Sequence, residues 1–168
     1  MIDDVIRTRR THKSFGVEPV QRDALRELFE LARWAPNHHR TFPWRFRVLG
    51  PESFERIKEA AGPSEAPKLE RAPTLVLATA ALSGDLISDE EDVCATACAI
   101  YAVLLGAHER GLAAYWRTPR VVRTRAGREA LGVPDGERVL GLIHLGPARS
   151  SPPAPERPSV ETYLSYLP

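Results

Sequence analysis

Apolar residues along the chain switch repeatedly between helical and extended spacing. From Gln21 to Trp34, Leu25, Leu28, Phe29 and Ala32 recur at intervals of three and four, predicting an amphipathic helix that Pro36 ends. The loop Ala35 to Pro43 follows. Trp44 to Leu49 alternates, with Trp44, Phe46 and Val48 on one face and Arg45 and Arg47 on the other, as a half-buried strand does. Ser53 to Ala61 reads as a short helix, and Thr74 to Ala81, with Leu75, Val76 and Leu77 consecutive, as a strand buried on both faces.

The longest helix is predicted from Ser88, where Glu91 completes a capping box, to about Arg110, with Gly111 stopping it. Its Ala, Cys, Ile and Leu content marks a central core helix. Leu112 to Trp116 reads as a strand, Pro119 to Leu131 as a helix opened by proline, and Arg138 to Leu145 as a strand ending at Gly146-Pro147. Ile2 to Arg10 carries a weaker helical signal. Five prolines between Pro147 and Pro158 forbid helix or inner strand, so 147–168 is expected to run as an extended arm. Such an arm reaches a partner subunit or docks through Val160 to Leu167. Interleaved helices and strands make the fold class α+β.

At 168 residues and 43% hydrophobic, the chain is expected to form one domain over 1–168 with a sizeable core. A net charge of +1 provides no overall field for nucleic acid or an anionic membrane, so any anion must meet a local cluster. The most apolar stretches, Thr74 to Leu82 and Ala99 to Ala107, are short for a membrane span, and Met1 to Arg10 lacks an apolar signal core. A cytoplasmic location is the expectation. Cys94 and Cys98 stand four apart in a helical pattern and are expected to be packed thiols in the core.

Arg9, Arg10, Thr11 and Lys13 place three cations and a hydroxyl within five residues at a helix end, a combination suited to a phosphate group. A solvated basic end complementing the helix dipole is the alternative. Neither a dinucleotide-binding glycine fingerprint nor a phosphate loop occurs, and no Gly-x-Ser-x-Gly turn is present. Among the histidines, His38 and His39 are adjacent but lack a third ligand at zinc spacing. His108 and His144 fit ordinary packing in a helix and a strand.

Four ordered motifs resemble the nitroreductase family, above all its short, minimal members. They are Arg9 to Phe15, Ala35-Pro36-Asn37-His38, Pro43-Trp44, and Gly111 to Thr118. A Gly-x-Pro and a proline-rich arm follow. The resemblance implies a nitroreductase-like fold, with a mostly antiparallel sheet wrapped by helices. It also implies an intertwined homodimer with an FMN in each of two clefts built from both subunits. Arg9, Thr11 and Lys13 would then meet the FMN phosphate, ribityl chain and pyrimidine edge, with Arg10 close by. Trp34, His38, Trp116, Arg117 and Thr118 would line the cofactor, and Arg157 would add phosphate contact from the arm. The implied activity is two hydride transfers through the flavin, from NADH or NADPH and then to a nitroaromatic, quinone or similar small-molecule acceptor. No dedicated catalytic acid or base is assigned, because the flavin carries the chemistry.

Departures from the family bear on substrate rather than fold. Phe42 stands where many members have Gln, Thr11 replaces a serine, and the stretch between Ala61 and Ala72 is short. Alternatives are a flavoenzyme of this fold with another outcome, such as dehalogenation or substrate oxidation, and a flavin-binding module without turnover. A protein without flavin whose basic cluster takes a phosphorylated metabolite or acidic partner is a further one.

Overall fold

The computed structural model describes residues 1–168 and builds them around a four-stranded sheet in the order β1-β2-β4-β3. These strands are β1 Trp44–Val48, β2 Thr74–Ala81, β3 Leu112–Arg117 and β4 Glu137–Pro147. All neighbours are antiparallel, as the resemblance implied. The α-helices are α1 Ile2–Thr8, α2 Arg22–Glu30, α3 Pro51–Ala61, α4 Ala66–Leu69, α5 Leu86–Glu109 and α6 Arg125–Ala130.

Alternation along β2 and β4 divides the interior in two. Val76, Ala78, Ile143 and Leu145 join Leu25, Leu28, Ala99, Ile100 and Val103 in a core beneath α2 and α5. Leu75, Leu77 and Leu142 join Ile57, Leu69, Val121 and Val122 on the opposite face, beneath α3, α4 and α6. Both inner strands are therefore buried on both sides although every pairing is antiparallel, because helices cover each face. A bulge between Ala78 and Thr79 skips Leu140 in the register, and Gly141 beside it takes φ 140. That backbone excludes a side chain, since a Cβ there would meet the Arg117 carbonyl oxygen at 2.4 Å.

Local chemistry moves several predicted boundaries. Asp85, not Ser88, caps α5, its carboxylate accepting from the Ser88 N–H at 2.9 Å. No Ser88–Glu91 capping box forms; Glu91 pairs with His38 instead. The expected Pro119–Leu131 helix splits into a single turn, Arg120–Arg123, and α6. At the break, Thr124 is extended, and its hydroxyl accepts from the Gly127 N–H. Helix α2 tightens into the turn Leu31–Trp34 ahead of Pro36.

Helix α5 also overturns two expectations. With 24 residues, it is long and apolar enough by length and composition to cross a membrane, yet half of its most apolar window is buried within the fold. Cys94 and Cys98 are exposed, not packed in the core. The buried face belongs to Ala95, Ala99, Val103 and Ala107, roughly opposite the thiols at 100° per residue. Tyr101 shares the thiol face, and Leu86 and Ile87 extend the exposed apolar surface at the helix start. The arm beyond Pro147 is exposed as well. Its one helical turn, Val160–Thr162, leaves Tyr163, Leu164, Tyr166 and Leu167 in solvent rather than docked on their own chain.

Candidate functional site

Chain geometry after α1 sets out the basic cluster. Arg9 leaves the helix with an extended ψ of 131, and the segment then runs beside β3, the His12 N–H donating to the Ala114 carbonyl at 3.1 Å. Phe15 bridges Ala148, and the Gly16 N–H reaches the Pro147 carbonyl at 2.8 Å. Thr11 and Lys13 are exposed, Arg9 and Arg10 half-buried and His12 buried.

Lys13 lines an open cavity with Ser14, Gly16, Arg71 and Arg149. Arg10 is held from one end, its Nη1 donating to the carbonyls of Arg7 at 2.6 Å and Arg9 at 3.0 Å. Three cations and the Ser14 hydroxyl form a donor set that fits a phosphate monoester, while the one carboxylate of the lining, Glu70, is paired with Lys58 at 2.8 Å. Arg71 and Arg149 were not foreseen; only the position of Arg149, just past Gly146-Pro147, could have signalled it.

Strand β3 delivers the second predicted group to two faces of the sheet. The half-buried Trp116 packs on the α5 core, and its indole N–H donates to the Leu140 carbonyl at 2.9 Å. The bulge makes this possible, because it takes Leu140 out of the register with β2. Arg117 faces the other layer, 3.7 Å from Glu65, with Thr118 exposed beyond it. Arg71 and Arg117 also act on His144, which lies between the rings of Phe15 and Tyr115. Burial first, and those two cations second, push His144 down to about 3. Neither of its ring nitrogens has a hydrogen-bond partner.

The third group occupies the loop ahead of β1. His38 Nδ1 lies 2.7 Å from a Glu91 carboxylate oxygen, Thr41 donates its hydroxyl to the buried Asp92, and Asn37 Oδ1 accepts from the Phe42 N–H. This bracing holds His39, Arg40 and Phe42 at φ 55, 56 and 47, a left-handed run that costs non-glycine residues about 1–2 kcal/mol each. Phe42 remains 53% exposed, edge-on to Trp44, and Trp34 is 79% exposed. The sequence carries no sign that Glu91 and Asp92 anchor this loop, since Glu91 reads there as part of a capping box.

One chain does not bring all the predicted residues together. His38 is tied to Glu91 near the start of α5, whereas Thr8 of the basic end bonds His108 near its finish. At 1.5 Å per residue, those anchor points on α5 lie about 25 Å apart. Arg157 is exposed on the arm, without an ion pair.

An antiparallel sheet between two helical layers, with a basic edge beside β3, defines an α+β protein assembled around one long central helix. The chain belongs to the nitroreductase family, whose model matches residues 6–64 and 59–147. YfhC of Bacillus subtilis, provisionally named an NAD(P)H nitroreductase, is 26% identical over 99% of this chain and 94% of its own. The solved structure of a nitroreductase-like family protein from Bacillus cereus superposes with a TM-score of 0.91 at 24% identity, covering 99% of this chain and 96% of its own. The FMN and NADPH-dependent nitroreductase NfnB from Sphigopyxis sp. strain HMH, solved as a point mutant, gives 0.83 at 16% identity, covering 100% and 99%.

Proposed function

We propose that this protein is an NAD(P)H-dependent flavin oxidoreductase that holds FMN and reduces nitroaromatic, quinone or similar acceptors. The observation that carries the reading is the extended basic strip of Arg9, Thr11 and Lys13 beside β3, in a chain of the nitroreductase family. When bound, FMN supplies hydride transfer between the nicotinamide and the acceptor. Arg9 and Thr11 grip the phosphate and ribityl oxygens, assisted by Arg157 from the arm, with Arg10 close by. Lys13 puts positive charge at the pyrimidine edge, where the reduced cofactor is anionic. Trp116, fixed by the Leu140 carbonyl, and Thr118 give the cofactor a rigid border, while Glu65 restrains Arg117.

The distance between His38 and the basic end supports a site shared by two subunits. In that arrangement the exposed face of α5, with Cys94, Cys98 and Tyr101, meets its counterpart in a homodimer, and each subunit's Trp34 and His38 serve the partner's cofactor. Exposed tyrosines and leucines on the arm are then covered by the second chain.

The visible spectrum of the purified protein, with the released chromophore identified by mass, tests this reading. One FMN per chain, bleached by NADH or NADPH and restored by a quinone, is the expected result, together with loss of flavin in Arg9→Ala. Dimerisation is checked in parallel by sedimentation. A colourless protein that takes up no added FMN refutes the proposal.

A further inference from the structure

Helix α5 leaves one stripe of its surface open along most of its length. Ile87, Glu91, Cys94, Cys98, Tyr101 and Leu105 follow one another at intervals of four, three, four, three and four, the spacing of a seam between two helices. Ile87, both cysteines and Tyr101 are exposed, and Glu91 and Leu105 are half-buried.

Those intervals read the same from either end. A second copy of α5 laid antiparallel therefore meets the stripe position for position, about a centre midway between Cys94 and Cys98. Ile87 falls opposite Leu105, Glu91 opposite Tyr101, and Cys94 opposite Cys98, each twice over. Apolar side chains meet apolar ones, and each phenol meets a carboxylate that can accept its hydrogen bond. The antiparallel direction rests on the homodimer proposed above, in which the loop braced on Glu91 serves the other subunit's basic end, tied to His108. The start of one α5 must then lie toward the finish of the other. In this register Glu91 stands about 10 Å along the seam from the level of His108 in the second copy, instead of the roughly 25 Å between them within one chain. Ala97, half-buried between the two cysteines in sequence, is small enough to let the backbones approach to the Cα separation of about 4.4–6.8 Å that a disulfide needs.

We infer that Cys94 and Cys98 form a reciprocal pair of inter-subunit disulfides, Cys94 of each chain to Cys98 of the other, which lock the dimer in the presence of hydrogen peroxide. On the free chain, where both thiols are exposed, the Cys98 sulfur attacks peroxide, takes one oxygen as a sulfenic acid and releases water. On pairing, the Cys94 thiol of the other chain attacks that sulfur; the S–S bond forms and the hydroxyl leaves as a second water. Each bond thus gives up two protons and two electrons, all taken by one peroxide, and a dithiol reductant reverses it by exchange. Locked subunits cannot separate, so a cofactor held between them stays bound on dilution.

The test is oxidation of the flavin-loaded protein with hydrogen peroxide, followed by alkylation of free thiols and a denaturing gel run without reductant. A band at twice the chain mass that dithiothreitol collapses is expected. Cys94→Ser and Cys98→Ser are then made singly, with circular dichroism confirming that each is folded. Alone, each should cross-link at least about tenfold less than the wild type, because like residues sit about 6 Å apart along the seam. Co-expressed with different tags, the two variants should cross-link to each other, since one chain then offers Cys98 to the other's Cys94. Cross-linking that persists in either single variant, a mixed pair that stays unlinked, or oxidation confined to a bond within one chain overturns the inference. A yellow protein that never cross-links loses this inference and keeps the flavin reading; a colourless protein that cross-links reciprocally does the reverse.

Discussion

His144 makes the stability of this fold pH-dependent in a way one substitution can isolate. Its side chain is 1% exposed on β4, both ring nitrogens lack partners, and the folded protein pushes it down to about 3. An unfolded chain binds a proton there near pH 6.5. Between those values the unfolded state holds more protons than the folded one, so stability falls as pH drops below about 6.5 and continues to fall toward 3. By linkage, the wild-type protein loses about 2 kcal/mol between pH 7 and pH 5 from this group alone. His144→Leu removes the titration and two orphaned polar atoms at similar volume, so its stability at pH 7 should equal or exceed the wild type's. Urea unfolding followed by circular dichroism at half-unit pH steps provides both curves. They should diverge on acidification, with the variant about 2 kcal/mol further ahead at pH 5 than at pH 7. Parallel curves would refute the reasoning, because carboxylates elsewhere contribute equally to both proteins.

Glu137 should also cost stability on acidification, but in a more acid window. Arg47 donates two hydrogen bonds of 2.7 Å to it and, as the main cause, holds its carboxyl below the usual range. This contribution is present above the unfolded carboxylate pKa of about 4.3 and lost as pH falls through the lower folded value. With Arg47 about a third exposed, Glu137→Gln should cost about 1–3 kcal/mol at pH 7, and the cost should vanish at sufficiently acid pH in the same urea assay. For Gly141→Ala, strain at φ 140 and the clash with the Arg117 carbonyl should cost about 3 kcal/mol, lowering Tm by about 6–12 °C. Near-UV circular dichroism should register the displaced Trp116, whose indole nitrogen a new Cβ would approach to 2.9 Å.

Sequence periodicity revealed the elements whose neighbours are local. The spacing of Leu25, Leu28 and Ala32 and the unbroken apolar run of β2 each report a buried face directly, and all four strands lie where alternation or apolar content placed them. Cys94 and Cys98 misled because composition speaks of burial without direction, and α5 has apolar residues on nearly every side. Helix starts failed where competing caps stood a few residues apart, as Asp85 and Ser88 do. Within the site, Arg9 to Lys13 was legible as adjacent charge. The association of Lys13 with Arg71 and Arg149 was not, since it depends on the approach to β2 and the end of β4 returning to the same corner. The anchoring of loop 35–43 on Glu91 and Asp92 likewise joins residues about fifty positions apart.

The place of β4 between β2 and β3 also constrains how the chain is made. A ribosome releases β1, β2, α5 and β3 before residue 137, so β1 and β2 can pair while β3 waits without its only partner strand. Until β4 emerges, the apolar faces of β2 and α5 lack the strand that joins them into one core. Closure of the sheet is therefore a late, long-range event in biosynthesis, and nascent chains that stall before Glu137 are the form of this protein most exposed to aggregation and most dependent on chaperones.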